Sequence, residues 1–119
     1  MQIEQSVAGH LDAYDYDDIT VDATAGGVGL SAAKLTPTST SVDRDEGRCR
    51  MVVIQVEGAD TRYIVDRKST VQGSAQGTAK GHLLPNGSIL TLANQMIMSQ
   101  FRIQRETAVN ATIRVTYYR

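Results

Sequence analysis

The residues that could do chemistry are few, and the most suggestive stand near the N-terminus. Asp12, Asp15, Asp17 and Asp18, interleaved with Tyr14 and Tyr16, offer the several oxygens that a hard cation such as calcium requires. An EF-hand loop would also carry a glycine and a closing glutamate in register, and this stretch has neither. The segment therefore reads as an exposed contact arm rather than a metal site. Tyrosine supports that reading, because it presents a large amphipathic area at small entropic cost. We expect residues 1–18 to form an N-terminal arm, with Tyr14, Asp15, Tyr16 and Asp17 as interface residues.

Gly73-Ser74-Ala75-Gln76-Gly77-Thr78-Ala79-Lys80-Gly81 has the flavour of a phosphate loop. A P-loop ends in Gly-Lys-Ser/Thr and opens a helix whose amides hold the phosphate. Here Lys80 precedes Gly81 and no helical periodicity follows, so a flexible connection is expected. Cys49, the single cysteine, could in principle pair with His10 or His82 as nucleophile and base. No Gly-x-Ser-x-Gly elbow or other local signature places such a pair, and a lone cysteine beside an apolar run reads as a small buried hydrophobe. Catalytic residues, metals and cofactors are therefore all expected to be absent.

Arg62, Arg67, Arg102, Arg105, Arg114 and Arg119 fall on strand-like segments or their ends, where they suit ion pairs, including pairs to neighbouring subunits. Twelve Lys plus Arg against 13 Asp plus Glu give a net charge of −1, which removes the simple case for a nucleic-acid binder. No run approaches the roughly 20 apolar residues of a membrane span. The first residues lack the basic and then apolar profile of a signal peptide, so synthesis in the cytosol is expected. Two glycosylation triplets, at Asn86 and Asn110, carry no weight without that signal.

The elements that must position these groups are strands. At 119 residues and 41% hydrophobic, the chain is long enough for one self-sufficient core. Period-two alternation recurs, whereas apolar spacing of three and four does not. Ile19-Val21-Ala23 and Val28-Leu30-Ala32 predict two short strands separated by Gly26-Gly27. Leu35 to Gly47 reads as an exposed loop. Met51 to Val56 is apolar in both parities, which predicts a central strand covered on both faces, with Cys49 belonging to it. Glu57-Gly58-Ala59-Asp60 predicts a hairpin into Thr61 to Asp66, and Arg67 to Gly81 a long surface loop unable to build core. Ser88 to Leu92 and Met96 to Gln104 read as a second hairpin joined by Ala93-Asn94-Gln95, with Ile97, Phe101 and Ile103 facing inward. Ala111, Ile113, Val115 and Tyr117 alternate with polar residues in the last strand. About seven or eight strands with turns roughly every ten residues predict an all-β fold: a single-domain antiparallel β-sandwich, jelly-roll-like, over residues 19–119.

The stretches Val52 to Asp66, Gly81-His82-Leu83-Leu84-Pro85-Asn86-Gly87, Phe101 to Arg105 and Ala111 to Tyr118, with Thr20 to Thr24 and Val28-Gly29-Leu30 upstream, resemble small β-sandwich virion proteins of tailed bacteriophages. The resemblance spans residues 19 to 118 and is one of pattern and rhythm. Asp66-Arg67-Lys68-Ser69-Thr70 stands where many such proteins carry Asp-Gly-Thr and then proline. The resemblance implies a capsid decoration or cement protein on the exterior of the virion. Such a protein binds the major capsid protein, self-associates as a dimer or trimer, and contacts neither nucleic acid nor membrane. A tail, baseplate or head–tail adaptor component and a virion-borne carbohydrate-binding module are the alternatives of similar fold. A small metal-dependent or cysteine enzyme ranks last.

Overall fold

A computed structural model describes residues 11–36 and 48–119. His10, the first ten residues of the expected arm and most of the expected 35–47 loop lie outside the described residues. The fold is an antiparallel β-sandwich in a single domain, as the alternation predicts. Its strands are β1 (Ala13–Val21), β2 (Met51–Glu57), β3 (Thr61–Ile64), β4 (His82–Leu84), β5 (Ile89–Leu92), β6 (Arg102–Arg105) and β7 (Ala111–Tyr118). One sheet has the order β1-β7-β2-β5 and the other β4-β3-β6.

Between the layers lies the core. Val52, Ile54 and Val56 of β2 and Ala111, Ile113, Val115 and Tyr117 of β7 are buried at every second residue, and Phe101, Ile103 and Leu84 of the second layer join the same cluster. Burying each large aliphatic or aromatic side chain contributes roughly 1.5–3 kcal/mol, so the two central strands dominate stability. Leu35 of the one-turn helix α1 (Ala32–Leu35) and Met98 of α2 (Gln95–Gln100) belong to the same cluster.

Neither expected hairpin forms. Both edges of β2 are taken, by β7 and by β5, so the Glu57–Asp60 link carries the chain into the other layer, where β3 pairs with β4 and β6. Asp60 and Asn86 brace that link: the Asn86 N–H donates to Asp60 Oδ1 at 2.8 Å and the Gly58 N–H to Asn86 Oδ1 at 3.0 Å. Downstream, Asn94 is a helix cap rather than a turn residue. Its Oδ1 accepts from the N–H groups of Met96 and Ile97, which starts α2 and sends the chain from β5 across to β6. Met98 is thus buried where Ile97 was expected, and Ile97 is exposed.

The strand expected at Val28 to Ala32 is reduced to one bridge between Val28 and Ile103, because Ser31 caps α1 immediately afterwards. β1, in turn, starts earlier than the alternation of apolar residues indicates. Residues 13–18, expected within the N-terminal arm, are strand paired to β7. Asp15 and Asp17 continue the parity of Ile19 and Val21 at the rim of the sandwich, where Lys34 from α1 meets both carboxylates at 3.5 and 3.8 Å. An ion pair fills the place of an apolar contact, and the hydrophobic pattern is blind to that substitution.

Candidate functional site

The four expected interface residues separate into two groups. A bulge between Ala13 and Asp15 turns Tyr14 toward the core side, where its ring lies 6.4 Å from that of Tyr117 and its hydroxyl donates to the Lys34 carbonyl. Burial, then the neighbouring Cys49 thiol, pushes the Tyr14 phenol well above its ordinary range. The Arg119 guanidinium lies 4.6 Å from the centre of the same ring. Asp15 and Asp17 face Lys34, whose ammonium also donates to the Tyr16 carbonyl at 2.7 Å. The Tyr16 N–H is capped by Asp15 Oδ1 at 2.8 Å. These contacts occupy backbone groups of an edge strand that would otherwise be open to pairing with another chain. Tyr16 projects outward, 64% exposed.

Tyr16 belongs to a larger surface. The registers align the outward residues of the four-stranded sheet in rows: Tyr16, Thr116, Val53 and Thr91 in one, Asp18, Arg114, Gln55 and Ile89 in the next. Tyr118 beside Met51 adds a further row on the same side. Arg114 donates to Asp18 at 2.9 Å and to Glu57 at 2.8 Å, so the charges on these rows form one ladder that answers itself. Both carboxylates raise the Arg114 pKa, with the Glu57 hydrogen bond the larger cause. The solvent face of an antiparallel sheet is ordinarily polar; here Tyr16, Val53, Met51, Tyr118 and Ile89 sit among threonines, with Ile89 65% exposed. Sequence reading missed this face. Its signal was the apolar residues in both parities of Met51 to Val56, which had suggested cover on both sides; β2 is central, but only its Val52, Ile54 and Val56 side is buried.

The other candidates do not converge. Cys49 is buried just before β2, its Sγ donating to the Met51 carbonyl at 3.3 Å and lying 3.9 Å from Met98 Sδ. Burial pushes its thiol up, which opposes the thiolate a nucleophile needs. His82 packs its ring 5.3 Å from that of Tyr63 at the start of β4. Among the described residues no group of three or more His, Cys, Asp and Glu gathers as a metal site would. Also among the described residues, no helix is long and apolar enough to cross a membrane.

The Gly73 to Gly81 stretch opens in a 3-10 turn (Ser74–Gln76) and is anchored rather than loose. Gln104, buried in β6, accepts from the Gly73 N–H at 2.7 Å and donates to the Thr24 carbonyl at 2.8 Å. Glu106 accepts from Arg62 at 2.6 Å and from the Ser74 N–H at 3.1 Å, and the Arg62 bond is the main reason its carboxyl sits below the ordinary range. Of the six arginines singled out by sequence, Arg62 and Arg114 are thus paired within the chain. Arg67 and Arg102 border one cleft beside the Asp66 to Thr70 turn.

Comparison of the chain with family models, with curated proteins and with solved structures finds no match in any of the three.

Proposed function

We propose that this chain is a non-enzymatic structural protein of a viral particle, a decoration or cement protein that binds the assembled shell and holds neighbouring major capsid subunits together. The observation that carries the reading is the outward face of the β1-β7-β2-β5 sheet. Tyr16, Val53, Met51, Tyr118 and Ile89 supply apolar and aromatic area on a rigid support, threonines supply hydrogen bonds at small entropic cost, and the Asp18–Arg114–Glu57 ladder is already neutralised in part within the chain. That composition suits the centre of a protein interface, where aromatics are enriched and unpaired charge is depleted. The resemblance of residues 19 to 118 to small virion β-sandwiches supports a shell subunit as the partner.

Each copy seated across a joint makes separation of the joint require stripping of the clamp. Two or three copies around a local symmetry axis multiply that effect through avidity. To test the reading, the purified chain is mixed with undecorated shells, and co-sedimentation and shell survival on heating are measured. Saturable binding with a raised disruption temperature is expected. Absence of both overturns the reading.

A further inference from the structure

Two clefts flank the turn that follows β3. The larger, about 550 Å³, is lined by residues that include Lys68, Ser69, Lys80 and His82. The smaller, about 420 Å³, is lined by residues that include Arg67, Ser69, Ser99, Gln100 and Arg102. Together they collect four basic side chains and a histidine around a single carboxylate, Asp66. That carboxylate is committed to its own turn. Its Oδ1 accepts from the Ser69 N–H at 2.8 Å and its Oδ2 from the Ser69 hydroxyl at 3.0 Å. Lys34, Arg62 and Arg114 each meet a carboxylate elsewhere in the fold, whereas Arg67, Lys68, Lys80 and Arg102 form no ion pair among the described residues.

Two of the four are also tied to the fold, Lys80 by its backbone and Arg102 by its side chain. Lys80 is fixed through its backbone by the two-way bridge to Gln72, at 2.8 and 3.0 Å. Arg102 Nη1 donates to the carbonyls of Phe101 at 2.7 Å and Ser99 at 3.2 Å. A side chain at Gly29 would bring its Cβ within 2.6 Å of that nitrogen, so the absence of one lets the guanidinium lie where it does. Two carbonyls engage one corner of a five-donor fork, which leaves donors for a ligand oxyanion.

We propose that these clefts bind the acidic groups of an oligosaccharide, the carboxylates or sulfates of an extended sugar chain lying across the Asp66 to Thr70 turn. Cationic side chains meet the oxyanions, and the hydroxyls of Ser69, Thr70 and Ser99 with the amide of Gln100 match sugar hydroxyls. A nucleic acid fits less well: neither cleft is lined by Phe or Tyr on which a base could stack. The site uses β3, β4 and β6, not the outward face of the other sheet, and so stands independently of shell binding.

The full chain, free of any particle, is titrated with a heparin-derived hexasaccharide and with an acidic oligogalacturonate, while backbone amide shifts are followed by NMR. Neutral dextran and a single-stranded oligonucleotide of equal charge serve as comparisons. Saturable binding of at least one acidic sugar, weakened by salt, with shifts at Ser69, Lys80, His82 and Arg102 and none with dextran, is expected. Lys80→Ala, at unchanged melting temperature, and Arg102→Gln should each weaken it about tenfold, while Arg50→Ala leaves it unchanged. No binding of either acidic sugar overturns the proposal, as does binding that survives both cleft variants or an oligonucleotide that binds more tightly than both sugars.

Discussion

β7 delivers Ala111, Ile113, Val115 and Tyr117 into the core at every second position, whereas the segment from residue 71 to 76 contributes one buried apolar side chain, Val71, and is tied down by polar contacts. The first kind of order is spread over many side chains, each contributing its own loss of water-exposed area. The second is conditional. Gln104 satisfies a buried N–H and a carbonyl at once, and Glu106 links Arg62 to Ser74, so removing one partner strands the rest. Gly73 belongs to that second region. A Cβ there would lie 1.8 Å from the Arg105 carbonyl oxygen, so this backbone packs against β6 with no room for a side chain.

Substitutions should separate the two kinds of order. Ile54→Ala removes a fully buried side chain from the centre of the core and should cost about 4 kcal/mol by denaturant titration. A loss below about 1 kcal/mol would mean that the sheet layers are not packed as described. Gly73→Ala forces the segment off β6 and should cost about 2–3 kcal/mol, with amide exchange accelerating from Val71 to Gln76 while β7 stays protected. Gln104→Leu keeps the volume but strands the Gly73 N–H, at about 1–3 kcal/mol. Equal loss of protection in both regions would erase the distinction between them.

Glu106 sharpens the contrast through pH. Its folded pKa lies below the ordinary value of 4.5, so the stability it contributes is present above that value and lost as pH falls through the folded pKa. In Glu106→Gln the contribution of about 1 kcal/mol is missing at neutral pH, and the acid side of the stability profile flattens. Thermal melts of both proteins between neutral and acidic pH read this directly; parallel profiles would show that the Arg62–Glu106 contact contributes nothing. Tyr16→Ala should have the smallest effect on folding, under about 0.5 kcal/mol, since the side chain is 64% exposed.

The two regions also differ in how legible they are in the sequence. Alternation in Ala111 to Tyr117 announces both the strand and its buried side, because hydrophobic period and fold point the same way. Pairing is another matter. Which strand takes an edge of β2 depends on competition among distant segments, so the expected hairpins gave way to β5 and β7. Asn94 looked like a turn residue because capping and turning use the same side-chain chemistry, and only the following N–H groups decide between them. The anchoring of residues 71–76 was invisible, since a glycine and a glutamine thirty-one positions apart carry no periodic mark. On the outward face, sequence singled out Tyr16 but not Val53, Met51, Tyr118 or Ile89, which join it only through register.

The proposed adhesion through that outward face can be tested by hydroxyl-radical footprinting of the chain free and bound to particles. If the account is right, Tyr16, Met51, Tyr118 and Ile89 lose reactivity on the particle, while Leu83 and Val109, exposed elsewhere on the chain, keep theirs. Unchanged reactivity of Tyr16, Met51 and Tyr118 in particle-bound chain would contradict it.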